Sequence, residues 1–363
     1  MAALVPHVSP SAPVTDPRLP CPPFPRALFW ESGVLRLLDQ RRPPAEEAWV
    51  ECRSLDEVIA AIRTLVVRGA PLIGVAAAYG AVLEERRLRA RPPEERRRLL
   101  DEGLGRLAAA RPTAVNLAAA VGRVRRVLES DPRDAGAGLL AAAEELARHE
   151  EKASWAMARE GAGCLGPDAR VLTHCNTGSL ATLGPGTALG VVRCAWGAGR
   201  LASVGCTETR PWGQGLRLTT YELLYSGIPA CLYTESAAGA RLLDGGFDWL
   251  VVGADRVGPR GDVLNKIGTH MLARLARLGG ARVMVVAPTT TVDPAWDGRP
   301  EGRIEERSGR EVWRGMGTGE PPAGLLIANP VFDRTPAEAV DLVVTERGAA
   351  RPGAADFARV LGL

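Results

Sequence analysis

Beyond Gly166-Pro167 the chain repeats one pattern. Short apolar runs recur at 169–174, 201–206, 229–234, 248–253, 282–287 and 341–345. Each ends in a polar or glycine-rich loop, and helical patterns intervene near 178–190, 215–226, 236–244, 265–279 and 335–339. Strands this apolar need cover on both faces, and alternating helices supply it. The alternation predicts an α/β domain over 164–363, a doubly wound (Rossmann-like) parallel sheet. In such sheets ligands bind beyond the C-terminal ends of the strands.

The chain before this point reads differently. Residues 27–52 alternate short apolar stretches with turns, as a small antiparallel strand set does. Ser54 and Glu57 have the spacing of a capping box, opening a helix to about Leu65. Pro71 opens a second helix over 72–90, and helical patterns continue through 94–109, 113–129 and 135–163. The expectation is a smaller, mainly helical N-terminal domain over 26–163, preceded by a disordered Pro-rich tail over 1–25.

Composition narrows the function. The formal net charge is +3, without the basic face that nucleic acid demands. No apolar run reaches the length of a membrane span, and the N-terminus lacks the apolar block of a signal peptide. The seven cysteines are odd in number, irregularly spaced and free of any C-x-x-C. That speaks against a disulfide framework or structural zinc and fits a reducing cytoplasm. No metal-ligand spacing or G-x-G-x-x-G fingerprint occurs, so neither a metal nor a nicotinamide cofactor is expected.

The chain also avoids certain side chains. It holds two lysines (Lys152, Lys266), two glutamines (Gln40, Gln214) and four asparagines (Asn116, Asn176, Asn265, Asn329). In an Ala-, Arg- and Gly-rich chain each survivor is a candidate for a task its substitutes cannot perform. Chance is the alternative for any one of them.

The strand-end loops carry chemistry-bearing residues. Cys175 follows the first strand in THCNTGS, ahead of an expected helix whose N-terminus would favour a thiolate. The alternative is a small buried hydrophobe. His174, next to it, points to the opposite face of a strand and reads as structural. Gln214 follows the second strand in ETRPWGQG, as a ligand contact or a helix cap. Asp255 ends the 248–253 strand in GADR, as a general acid or as the ion-pair partner of Arg256. Asn265 and Lys266 sit at an expected helix start, where they would grip phosphate or hydroxyl. In the N-terminal part, Arg68, Gly69 and Ala70 precede a helix, and so does Arg111 in RPTAVNL. Two basic groups at helix starts would close over a phosphate; solvated arginines are the alternative.

Taken together, RGAPLIGVAAAYG, RPTAVNL, THCNTGSLAT, ETRPWGQGLRLTTYEL, GIPACLYTESAAG, VVGADRV, GDVLNKIGT and APTTTVD resemble the methylthioribose-1-phosphate isomerase family, from about residue 27 to 360. The resemblance implies an aldose–ketose isomerase of methionine salvage acting on a small sugar phosphate. It implies catalysis by Cys175 and Asp255, and substrate contacts from Arg68, Gly69, Ala70, Arg111, Gln214, Asn265 and Lys266. It also implies a homodimer. Ribose-1,5-bisphosphate isomerases and the non-catalytic regulatory subunits of the initiation factor two exchange factor share the superfamily and stand as alternatives. Thr207 and Glu235 stand where the family has Asp, and Gly213 where it has a larger apolar residue.

Overall fold

The computed structural model describes residues 21–111, 115–130, 135–298, 304–314 and 319–363. Three antiparallel strands come first: β1 (Leu28–Glu31), β2 (Val34–Leu38) and β3 (Trp49–Cys52). α1 (Leu55–Arg63) begins with the expected capping box. Ser54 Oγ accepts the Glu57 N–H at 3.3 Å, and the Glu57 carboxylate accepts the Ser54 N–H at 3.0 Å. The longer helices α2 (Ala70–Leu88), α3 (Pro93–Ala108), α4 (Val115–Ser130) and α5 (Ala135–Cys164) complete the helical region. The first four turns of α2 carry no polar stripe, so the helix has to be central. It packs among α1, α3, α4 and α5 in one core, which Leu180 and Leu218 from the later chain help to close.

Ten further strands follow: β4 (Ala169–Thr173), β5 (Leu201–Thr207), β6 (Cys231–Tyr233), β7 (Trp249–Val252), β8 (Arg256–Val257), β9 (Val263–Lys266), β10 (Arg282–Val286), β11 (Phe332–Thr335), β12 (Leu342–Thr345) and β13 (Gly348–Ala350). The interspersed helices are α6 (Ala188–Gly197), α7 (Thr220–Tyr225), α8 (Glu235–Leu243), α9 (Thr269–Leu278), α10 (Arg310–Arg314) and α11 (Phe357–Leu361). Seven strands form the central sheet in the order β13-β12-β10-β7-β4-β5-β6. All neighbours are parallel except β12 and β13. Alternate residues serve opposite faces, as a pleated strand requires. Met284 and Val286 of β10 meet α5 and α6, whereas Val283 and Val285 meet α8, α9 and α11. That double duty is why the runs read as continuously apolar.

Chain order along the sheet reverses between β4 and β7. From β4 the strands proceed outward through β5 to β6, and from β7 outward through β10 to β12. Loops leaving the C-terminal ends of β4 and β7 therefore diverge, leaving a crevice between them.

Several expectations are corrected. The helix expected at 178–190 starts only at Ala188, so Cys175 does not stand at a helix N-terminus. Residues 178–187 form turns instead, closed by a bridge between Gly178 and Gly186. Both glycines are required there: a Cβ on Gly178 would lie 2.1 Å from the Glu222 carboxylate, and one on Gly186 2.6 Å from Gly178 Cα. Asn265 and Lys266 lie on β9, and the helix waits until Thr269, after a left-handed Gly268. β9 pairs with β8 and β11 in a second antiparallel sheet absent from the sequence reading. Of the expected tail, residues 1–20 fall outside the described residues, whereas 21–25 pack on the sheet region. Phe24 meets Trp155 edge-on at 5.9 Å, and the Pro23 carbonyl accepts the Ser226 hydroxyl at 2.8 Å.

Candidate active site

Cys175 and Asp255 leave neighbouring strands. β4 and β7 pair through Thr173 and Val251, and both loops then turn into the crevice. One cavity there is lined by Arg68, Gly69, Ala70, Arg111, Cys175, Gln214, Asp255, Asn265 and Lys266 together. All nine residues singled out in the sequence thus face the same space, although 112–114, between Arg111 and α4, lie outside the described residues.

Cys175 is 7% exposed and sits in the left-handed region at φ +68°. A non-glycine residue there is strained and has to be held by its surroundings. Gln214 Nε2 donates to the Cys175 sulfur at 3.4 Å. The other end of that amide, Gln214 Oε1, is buried with no hydrogen-bond partner among the described residues. A buried acceptor without a donor is costly, and a ligand hydroxyl would satisfy it.

Arg68 is held by a polar network at the base of the cavity. Its guanidinium donates to the Asn176 side chain and, at 2.8 Å, to the Asn176 carbonyl. Asn176 Nδ2 in turn donates to Glu222 at 2.7 Å. Glu222 is fully buried and also accepts from Ser179 N–H at 2.7 Å, Ser179 Oγ at 2.8 Å and Arg193 at 2.8 Å. Gly69, at φ +95°, starts α2 so close to Ala181 that a Cβ would lie 2.5 Å from its Cα. Only glycine lets Arg68 approach the β4 loop this way.

The facing wall is built on the antiparallel sheet. Asp255 N–H is fixed to the Leu264 carbonyl at 2.9 Å. Lys266 Nζ donates to the Val331 carbonyl at 2.9 Å and stands 4.4 Å from the Phe332 ring centre. Asn265 Nδ2 donates to Thr269 Oγ1 at 3.0 Å. Burial lowers the pKa of both Arg68 and Lys266, and the nearby Cys175 and Asp255 side chains oppose that shift at each. Thiol, carboxyl, guanidinium and ammonium therefore share one electrostatic environment. Asp255 makes no ion pair with Arg256, which pairs with Asp293 at 3.4 Å instead.

Some lining residues escaped the sequence reading. Asn176 was noted only as a rare residue, yet it orients Arg68. Arg307 and Glu311, an ion pair across one turn, add a further cation and acid to the cavity wall. Their segment is bound to the strand side through Arg307 N–H and the Asn329 carbonyl at 3.1 Å. The scarcity of amides was the available signal. All six Asn and Gln side chains are buried, and Asn176, Gln214 and Asn265 line the cavity. No cluster of His, Cys, Asp or Glu suited to a metal ion occurs among the described residues.

Comparison with known proteins places the chain in a family. Residues 66–352 match the model of the Initiation factor 2 subunit family. The chain is 50% identical over 325 residues to a methylthioribose-1-phosphate isomerase of Alkalilimnicola ehrlichii, covering 89% of this chain and 93% of the relative. It superposes on the 5-methylthioribose 1-phosphate isomerase of Pyrococcus horikoshii with a TM-score of 0.84 and 36% identity, covering 93% and 95% of the two chains. The A. fulgidus structure described as translation initiation factor eIF-2B, subunit delta, matches with a TM-score of 0.80 and 37% identity, over 93% and 99%. By sequence and by fold, the chain belongs to the methylthioribose-1-phosphate isomerase family within the Initiation factor 2 subunit family.

Proposed function

We propose that the chain is a methylthioribose-1-phosphate isomerase, interconverting 5-methylthioribose 1-phosphate and 5-methylthioribulose 1-phosphate. The observation that carries this reading is the convergence of Cys175 and Asp255 on one cavity with Arg68, Arg111 and Lys266. Phosphate on the anomeric oxygen locks such a sugar as a closed furanose, so ring opening needs an acid. Asp255, protonated, donates to the ring oxygen and is reprotonated by the C2 hydroxyl as the hydroxyl oxygen becomes the ketone. Cys175, as thiolate, removes the C2 proton and returns it at C1. C1 is reduced as C2 is oxidised, with no net change, so the reaction consumes no redox cofactor. Arg68, Arg111, Lys266 and the amides of Gly69 and Ala70 hold the phosphate, while Gln214 and Asn265 contact sugar hydroxyls.

We read residues 26–163 and 164–363 as two domains, the second Rossmann-like, in a cytoplasmic homodimer. The cations around the cavity, Arg307 among them, also suit ribose 1,5-bisphosphate. Side-by-side turnover of both sugars by purified protein tests the proposal. Conversion of the methylthio sugar at the higher kcat/KM is expected. Conversion of neither would leave the regulatory-subunit reading, and a preference for the bisphosphate would replace the substrate. In heavy water, solvent deuterium at C1 is expected for proton transfer by Cys175; its complete absence points to a hydride shift.

A further inference from the structure

We propose that Thr209 is a positioning residue that holds the Cys175 backbone in its left-handed conformation, at the end of a buried hydrogen-bond chain from His174 through Thr207. The Cys175 N–H donates to Thr209 Oγ1 at 3.0 Å, and the Cys175 carbonyl accepts from Thr219 Oγ1 at 2.7 Å. Threonine hydroxyls thus clamp both backbone groups of the strained residue. Thr209 is itself left-handed, at φ +58°, although β-branched side chains rarely adopt that conformation. Its own N–H is tied to the Glu235 carboxylate at 2.7 Å. Two strained residues on different loops therefore brace one another.

The direction of the chain follows from its far end. His174 is fully buried, with Nε2 2.9 Å from the Ile267 carbonyl and Nδ1 2.7 Å from Thr207 Oγ1. A carbonyl only accepts, so Nε2 carries the proton. Burial lowers the His174 pKa to about 4, which keeps the ring neutral near pH 7 and leaves Nδ1 bare. Thr207 must then donate to Nδ1. Its oxygen remains free to accept the Thr209 hydroxyl at 2.9 Å. Thr209, its proton spent, presents a lone pair to the Cys175 N–H. Glu235 also faces Thr207, and burial raises its pKa, but it takes its backbone donor from Thr209. The Thr209 proton goes to Thr207 Oγ1 at 2.9 Å or to the Thr207 carbonyl at 3.4 Å, and either leaves a lone pair for the Cys175 N–H. The product of that order is an acceptor aimed at the Cys175 amide, which fixes where the sulfur points relative to Gln214, Arg68 and Asp255.

The test compares Thr209→Val, which keeps the shape and loses the hydroxyl, with Thr209→Ser, which keeps the hydroxyl. Two quantities are read: turnover of methylthioribose 1-phosphate, and the pH profile of Cys175 alkylation by iodoacetamide, followed by peptide mass spectrometry. Exposed Cys231 is the internal reference. Thr209→Val is expected to lower kcat about tenfold at unchanged KM and to shift the alkylation midpoint of Cys175 but not of Cys231. Thr209→Ser is expected to restore most of both. A Thr209→Val enzyme within twofold of the parent, with a superimposable Cys175 profile, overturns the proposal. So does a Thr209→Ser enzyme as impaired as Thr209→Val. Should Thr209→Val fail to fold, Thr207→Val takes the same alkylation test, and an unmoved Cys175 midpoint overturns the proposal. The turnover arm rests on the isomerase reading, but the alkylation arm does not. A parent protein without turnover would sink that reading while the Cys175 profile still decides this one.

Discussion

The two walls of the cavity are built on opposite plans. On the β4 side Arg68 is locked: two of its five N–H bonds go to Asn176, Asn176 is held by Glu222, and Glu222 by Arg193 and Ser179. On the β9 side Lys266 spends one of its three N–H bonds on the Val331 carbonyl and rests against an aromatic face. The first wall fixes its cation through a buried ion pair and a chain of hydrogen bonds; the second holds its cation by one hydrogen bond and an aromatic face. The two cations are thereby fixed to different degrees, and substitutions on the two walls should fail in different ways.

Removing the hub of the locked wall has the largest expected effect. Glu222→Ala leaves Arg193 charged and unpaired in the core, and should cost about 3–5 kcal/mol of stability in urea unfolding. A loss below about 1 kcal/mol would show that the network is dispensable and end the comparison. Next come the reacting groups, one from each wall. Cys175→Ser and Asp255→Asn should each lower kcat about a hundredfold or more, with unfolding midpoints near the parent's. Near-parental turnover from either would remove that residue from the mechanism.

Lys266→Ala should raise KM about tenfold and leave stability almost untouched, as expected of a cation held by one hydrogen bond. If it destabilises as Glu222→Ala does, the second wall is structural as well. The smallest effect is in the pH dependence of stability. His174, lowered to about 4, contributes stability that is present above its unfolded value near 6.5 and lost as pH falls toward 4. Asp333, which caps α9 from β11, is raised by burial to about 6. Its contribution is present below about 4 and lost as pH rises through 6. The two oppose each other between about pH 4 and 6. Asp333→Asn leaves His174 alone, so the melting temperature of this variant should fall more steeply on acidification than the parent's. Parallel curves would show that Asp333 is not raised.

Much of this was legible in the chain. The apolar runs became β4, β5, β6, β7, β10 and β12 with shifts of one or two residues, because strands buried on both faces leave an unbroken apolar signature; the edge strand β6, with Cys231 and Leu232 exposed, is apolar without that burial. Ser54 and Glu57 announced α1, since capping is local chemistry. What failed was nonlocal. The GSLAT segment has helical composition, but Gly178 and Gly186 are committed to close packing against Glu222 and each other, which no window of sequence displays. Asn265 and Lys266 were read as a helix start because Phe332–Thr335, the strand they pair with, lies far along the chain. That the residues singled out in the sequence line one cavity has a different origin. A chain that replaces most polar groups by Arg or Ala keeps an amide or an ammonium where its shape is needed, and six amides proved to be buried. Arg307 gave no such sign, one arginine among many.

Leu180 and Leu218 belong to the sheet half of the sequence but are buried in the helical core. That loan makes the two halves poor candidates for life apart. The chain is exposed at Gly166, Pro167 and Asp168, just where a protease or a gene break would divide it. A polypeptide nicked there stays associated, since each fragment alone would present bare apolar surface that the other was shaped to cover. Co-expressed halves are expected to reassemble through that shared seam, which co-purification of the two fragments would test.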